Sequence, residues 1–154
     1  MALLLAAVGC ASTKEPAKPA PILSPATTMQ DAGMVDIRTL VPDISQDIRY
    51  FGRDNFVGAP VDGYEAPRCY LKREVAEALA RVERNLRERH QRLRIYDCYR
   101  PARAVAHFMR WAADPTDTRT KPPHYPDLDR PDLLKGYVAR VSGHSRGATW
   151  PFSR

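Results

Sequence analysis

Between residues 71 and 86, apolar side chains recur at three- and four-residue steps, at Leu71, Val75, Ala78, Leu79, Val82 and Leu86. That spacing places them on one stripe of an amphipathic helix. Lys72, Arg73, Glu77, Arg81, Arg84 and Arg87 fill the opposite side and read as its solvated face. Elsewhere the period falls to two. Val35 to Leu40 alternates apolar and polar and predicts a strand. Ile44 to Tyr50 alternates more weakly and is a second candidate, and Leu93 to Tyr96 is a third, short one. Pro101 opens a second helix at its first position, where the missing N–H costs nothing. Val105, Phe108 and Trp111 carry that helix to about Ala113. Residues 55–63, with Gly58, Pro60 and Gly63, read as loop. Residues 114–131 hold Pro115, Pro122, Pro123 and Pro126 among polar side chains and predict a long irregular loop, a frequent form of functional lid. Leu133 to Val141 fits either strand or helix. There is no internal repeat, and the folded part reads as α+β.

A length of 154 residues suits one domain. With 44% hydrophobic and 27% charged residues, the chain is neither wholly disordered nor a multi-span membrane protein. The net charge of +6 has both signs interspersed, so it gives no nucleic-acid signature. Fourteen Pro against eight Gly point to an extended linker. Pro16, Pro19, Pro21 and Pro25 lie with Lys14, Glu15 and Lys18 in a stretch that cannot bury a core. Ahead of it, Leu3 to Val8 is far too short to span a bilayer. It runs into Gly9-Cys10-Ala11-Ser12, which resembles a bacterial lipoprotein signal with Cys10 as the acylated residue. Only Met1-Ala2 precede the apolar run, so the basic segment that opens a signal peptide is missing. The plain alternative is a frayed apolar N-terminus with an incidental Cys. The expected layout is a signal peptide over 1–10, a Pro-rich linker over 11–33 and a folded domain over 34–154. The protein would be exported and held in the periplasm or cell envelope by a lipid on Cys10.

Three Cys exclude a disulfide-dense scaffold. Cys69 precedes the long helix and Cys98 follows the short strand after it. Packing of that helix on that strand brings the two within reach, and export provides an oxidising compartment. A Cys69–Cys98 bridge is predicted, the alternative being two buried thiols. Closing that loop would contribute roughly 3–4 kcal/mol on the chain-entropy account.

Several separated segments run in order. They are Asp54-Asn55-Phe56-Val57-Gly58 with Val61-Asp62-Gly63-Tyr64, then Asp97-Cys98-Tyr99-Arg100-Pro101, then Phe108 to Ala113, then Lys135 to Ala139, then Ser142-Gly143-His144-Ser145-Arg146-Gly147. Together they resemble the D-alanyl-D-alanine dipeptidases of the vancomycin-resistance type, zinc peptidases that cut peptidoglycan peptides. The resemblance covers about residues 34 to 149. It implies an antiparallel sheet flanked by helices and a small D,D-dipeptide substrate. It implies that His144 is a zinc ligand, the first of a Ser-x-His-x-x-Gly-x-Ala-x-Asp stretch. It implies that Arg100 is the catalytic arginine that stabilises the tetrahedral transition state. A catalytic zinc needs three protein ligands and an open position for water. The plain alternative for Arg100 is a surface salt bridge.

The pattern then departs. Position 149 is Thr where the family has Ala, and Pro151 stands where it has Asp. The family's later Glu-x-x-His, which supplies base and third ligand, has no counterpart before Arg154. His90, His107 and His124 fall outside the family's ligand positions. Trp150 to Arg154 is not expected to continue a strand, because Pro cannot donate to a sheet ladder. The chain thus resembles a C-terminally truncated member, expected to bind zinc poorly, hydrolyse little and be marginally stable. Two other functions stay open: a non-catalytic cell-wall peptide-binding lipoprotein that keeps Arg100, and a basic surface protein that binds anionic polymers through charge.

Overall fold

The computed structural model describes residues 22–149 and 151–153. The expected signal segment and the lipid-bearing Cys10 lie outside these residues. A hydrogen-bonded turn over 28–33, closed by Met34 N–H to Met29 C=O at 2.8 Å, leads into the first strand. Structure therefore begins a few residues ahead of Met34.

The expected first strand divides. β1 covers Met34–Asp36, and the chain then tightens into a 3-10 turn at Ile37–Thr39. The Asp36 carboxylate accepts from Arg38 N–H at 3.0 Å and caps that turn, which ends the strand one residue after Val35. Leu40, expected at the strand's end, is exposed. The second candidate shrinks to β2 at Ser45–Gln46, followed by a 3-10 turn at Arg49–Phe51. Leu71, read as helical, sits on β3 at Tyr70–Lys72, which pairs antiparallel with β1. α1 then runs from Arg73 to Arg87. Its buried stripe is Ala76, Leu79, Ala80 and Glu83. Val82, expected on that stripe, is exposed, because a helix that starts after Leu71 turns residue 83 inward instead.

Glu83 is 0% exposed. It accepts from Leu93 N–H at 2.8 Å and from Arg87 at 3.0 Å, so it ties the end of α1 to β4, Arg94–Ile95. β4 pairs in parallel with β2 and antiparallel with β5, Phe152–Ser153. Two expectations change here. The sheet is not wholly antiparallel: a two-stranded antiparallel sheet of β1 and β3 lies beside a mixed three-stranded one. The segment after Trp150 does form a strand. Pro151 precedes it at the sheet edge and uses only its carbonyl, which accepts from Tyr96 N–H at 3.2 Å, so the missing donor costs nothing.

α2 covers Ala102–Ala113 with Pro101 as its cap, one residue outside the helix rather than at its first position. The long loop after it is interrupted by α3 at Lys121–His124 and ends in α4 at Arg130–Leu133. That helix resolves the ambiguity over residues 133–141: one residue of it is helical, and the rest is turns. Arg130 is buried over the Trp111 ring at 4.3 Å and donates to the Asp114 carbonyl at 2.5 Å. It pins the proline-rich loop to α2.

Two apolar clusters result. One gathers Ile37, Ile44, Leu71, Leu79, Leu93 and Ile95 around Cys69 and Cys98, which are joined by a disulfide as expected. The other gathers Val57, Val61, Phe108, Trp111, Tyr125 and Leu133. Tyr64 packs against both. No helix among the described residues is long and apolar enough to cross a membrane.

Candidate active site

Two short backbone segments converge where the clusters meet. β4 ends into Asp97-Cys98-Tyr99-Arg100, and Pro101 fixes the exit into α2. From the other side comes a 3-10 turn at Gly143–Arg146, capped by the Ser142 hydroxyl, which accepts from His144 N–H at 3.2 Å. The turn ends at Gly147, with φ of 68°. A Cβ there would lie 2.9 Å from Met34 Cε, so both the backbone angle and the close approach require glycine. Backbone bonds then lock the segments together. Arg100 N–H donates to His144 C=O at 3.2 Å, and Lys72 N–H donates to Gly147 C=O at 2.8 Å.

Arg100 and His144 line one cavity of about 490 Å³. Its walls include Tyr50, Phe56, Phe108 and Tyr137. Sequence reasoning chose these two residues from separate motifs 44 positions apart, and the fold brings them together. Arg100 is 18% exposed at its side chain. It lies 5.2 Å over the Tyr50 ring and 5.1 Å over the Phe108 ring. It donates from one terminal nitrogen to Asp97 at 2.7 Å. Its buried Nε has no protein partner. It is not a surface salt bridge.

Asp97 organises the site, and sequence reasoning gave it no role. It is 2% exposed. One oxygen accepts from the Tyr64 hydroxyl at 2.7 Å and from Cys98 N–H at 2.9 Å. The other accepts from Arg100 and lies 3.5 Å from His144 Nδ1. The available signal was an acid three residues before the arginine at the end of a buried strand. The electrostatics follow from this placement. Burial works against the charge of Arg100, but the Asp97 carboxylate more than offsets it and raises the guanidinium's pKa. Burial, then the Asp97 charge, push the Tyr64 phenol well above its ordinary range. Burial also raises Tyr50.

His144 Nδ1 lies 2.9 Å from the Cys98 carbonyl oxygen. A carbonyl can only accept, so Nδ1 carries a proton, and in the neutral ring this leaves the lone pair on Nε2. That is the tautomer a ligating or proton-accepting histidine needs. The other imidazoles are placed differently. His107 Nδ1 accepts from Asp62 N–H at 3.1 Å on α2, and His90 closes α1 with φ of 57°. His124, at the end of α3, lines the same cavity as His144, which its sequence context did not suggest. Among the described residues no three His, Cys, Asp or Glu side chains gather as a metal site.

The family model described as D-ala-D-ala dipeptidase, of the Peptidase M15 group, matches residues 30–153. The chain is 46% identical over 111 residues to a D-alanyl-D-alanine dipeptidase of Streptomyces coelicolor, covering 71% of this chain and 55% of that one. It is 41% identical over 119 residues to one of Enterococcus faecium, covering 77% and 59%. It is 34% identical over 82 residues to one of Escherichia coli, covering 53% and 40%. The chain spans a little over half the length of the first two of these relatives.

Proposed function

The chain belongs to the D-Ala-D-Ala dipeptidase family, and from that premise we propose that its cavity receives a D-alanyl-D-alanine dipeptide with Arg100 directed at the carbonyl that is cleaved. The observation that carries this reading is the state of Arg100. One nitrogen is held by buried Asp97, the guanidinium lies over two adjacent aromatic rings, and Nε is unpaired beside a cavity that His144 also lines. A guanidinium held this way stabilises negative charge on a tetrahedral carbon's oxygen without reorganising. Phe56, Val105 and Phe108 keep that wall apolar and suit the two small methyl groups of the dipeptide. Asp97 is not the base in this reading, because its oxygens are committed to Tyr64, Cys98 and Arg100.

Zinc is the metal that family membership implies. The residues present do not fit it by themselves. His144 offers one nitrogen, Asp97 is spent, and even with His124 in the same cavity no group of three His, Cys, Asp or Glu donors gathers among the described residues. A site with three ligands and an open position needs donors from beyond these residues. We infer weak zinc binding and little hydrolysis for the 154-residue chain. Stoichiometric zinc on the purified chain, with D-Ala released from the dipeptide, would refute that inference.

Calorimetric titration with D-Ala-D-Ala and with L-Ala-L-Ala tests the substrate reading. Arg100→Ala is expected to weaken D-Ala-D-Ala binding by about 10- to 100-fold, the worth of a charge-assisted hydrogen bond. Arg100→Lys should fall between, since a point charge replaces a planar fork. Unchanged affinity in Arg100→Ala sinks the reading. Export and a lipid on Cys10 belong to the same proposal. The Cys69–Cys98 bridge supports an oxidising compartment, and metabolic labelling with a radioactive fatty acid, lost in Cys10→Ala, is the test.

A further inference from the structure

The disulfide stands at the one place where a covalent bond can govern both functional side chains. Among the described residues the two sheets share no strand pairing. Cys69 lies immediately before β3 of the first sheet, and Cys98 lies just beyond β4 of the second. Cys98 is flanked by Asp97 on one side and is two residues from Arg100 on the other. Its own carbonyl oxygen takes the Nδ1 proton of His144 at 2.9 Å. Its own N–H is held by Asp97 at 2.9 Å.

The Cys69 end is held from both sheets, by Ile37 next to β1 and by Gln46 on β2. Its carbonyl accepts from Ile37 N–H at 3.0 Å, and its N–H donates to the Gln46 side chain at 3.1 Å. Next to the bridge, Tyr99 N–H donates to Tyr70 C=O at 3.0 Å, a lone backbone contact between the segments that carry the two cysteines. Both cysteines are buried, at 0% and 2% exposure. The bridge is therefore the covalent link, beside these hydrogen bonds, between a rigid anchor and the carbonyl that faces His144 Nδ1.

We propose that the Cys69–Cys98 disulfide is a positioning device for the site: it holds the Cys98 carbonyl against His144 Nδ1 and keeps Asp97 and Arg100 in register with that ring. It touches no substrate. Reduction by a dithiol breaks the S–S bond and yields two cysteine thiols, while the reductant supplies two electrons and two protons and closes to its own cyclic disulfide. The Tyr99–Tyr70 and Cys69–Gln46 hydrogen bonds and the shared apolar cluster then hold the two segments without a covalent tie, and the acceptor of the imidazole is no longer fixed.

The functional half of the proposal rests on the dipeptide reading given above. The tautomer half does not, so the experiment reads both. Nitrogen-15 spectra of the imidazoles are recorded on the full chain at about pH 8.5, where histidine is neutral. Samples are the oxidised protein, the protein reduced with dithiothreitol, Cys69→Ala/Cys98→Ala, and Leu86→Ala as a control. Leu86 lies near the other end of α1, about 20 Å along the helix from β3, so its truncation loosens the core without touching the site.

The oxidised chain and Leu86→Ala should show His144 as a single Nδ1–H tautomer. The reduced chain and the double variant should show both tautomers, with at least about a tenfold loss in D-Ala-D-Ala affinity, read as a ratio of dissociation constants. A His144 that keeps one tautomer and its affinity without the bridge overturns the proposal. So does global unfolding on reduction, because the bond would then hold the whole fold rather than the site. Free thiols at both positions in protein purified without reductant also overturn it. If the oxidised chain binds no dipeptide yet the tautomer still changes on reduction, the positioning role stands and the dipeptide reading falls.

Discussion

The two walls of the cavity are built differently. On one side Tyr50, Phe56 and Phe108 form a packed aromatic group, with ring centroids 4.9 to 5.8 Å apart, and Arg100 lies over two of those rings. That wall is anchored in α2 and in the end of β4. On the other side residues 137–142 form no helix or strand, with Tyr137 76% exposed and Val141 48% exposed. Their backbone is tied at few points, among them Tyr137 N–H and Val138 N–H to Leu133 C=O at 2.9 and 2.8 Å and Ser142 C=O from Ser145 N–H at 3.2 Å. The group that must meet developing charge thus sits on the rigid wall, where burial and Asp97 fix it. The other wall is free to conform to whatever the cavity holds. If that contrast is real, damage to the first wall should read out as lost stability, and damage to the second as lost affinity alone.

The largest effect should come from Asp97→Ala. Removing this carboxylate leaves a buried guanidinium and a buried phenol without their partner, and breaking such a pair costs about 3–5 kcal/mol. Urea denaturation should show this, with Asp97→Ala/Arg100→Leu recovering part of the loss because the orphaned charge is gone. If Asp97→Ala unfolds at the wild-type midpoint, the first wall is not held electrostatically.

Asp97 also shows where sequence reasoning stops. The existence of α1 and α2 was legible, because a period of 3.6 leaves a dozen residues of signal, but the stripe of α1 was legible only in part, since Leu79 is buried while Val82 is exposed and Glu83 is buried in its stead. The strands were not, since β2, β4 and β5 are two residues long and the Asp36 cap cuts β1 short. Arg100 and His144 were legible only as members of ordered motifs, and the disulfide only through the chain order of helix and strand. Glu83 and Asp97 look in sequence like ordinary solvated acids. Their burial depends on donors 10 and 33 positions away, Leu93 N–H and the Tyr64 hydroxyl. His124 enters the cavity only because Arg130 folds the proline-rich loop back onto Trp111.

A smaller effect, with a defined pH signature, is expected from Tyr64→Phe. The lost hydroxyl donated to a buried carboxylate, so the cost near neutrality is about 1–3 kcal/mol. The Tyr64 phenol is raised in the folded protein, by burial first and then by the Asp97 charge. A group with a raised folded pKa contributes stability that is complete below its unfolded value of about 10 and fades as pH climbs past it. The wild type should therefore lose stability steeply above about pH 10. Tyr64→Phe should show a shallower alkaline decline, with Tyr50 supplying what remains. Identical alkaline slopes in the two proteins would mean that Tyr64 is not held neutral by the site.

The smallest change in stability is expected on the second wall, in Tyr137→Ala and Val141→Ala. Both side chains are largely exposed and both line the cavity. Substitutions at such positions ordinarily move stability by less than about 0.5 kcal/mol, so thermal midpoints should stay within a degree or two. Affinity for D-Ala-D-Ala should still fall, because a ligand seated against Arg100 covers this wall and removes its apolar surface from water. At roughly 25 cal/mol per Å², covering even 40 Å² of a tyrosine is worth about 1 kcal/mol, a several-fold change in dissociation constant. Heat-capacity change on binding gives an independent reading. It should become less negative in Tyr137→Ala if apolar burial on this wall is the cause. A variant that loses stability and affinity in step would show the turn segment to be part of the rigid frame. One that changes neither would confine the ligand to the aromatic side of the cavity, against Arg100 and Phe108.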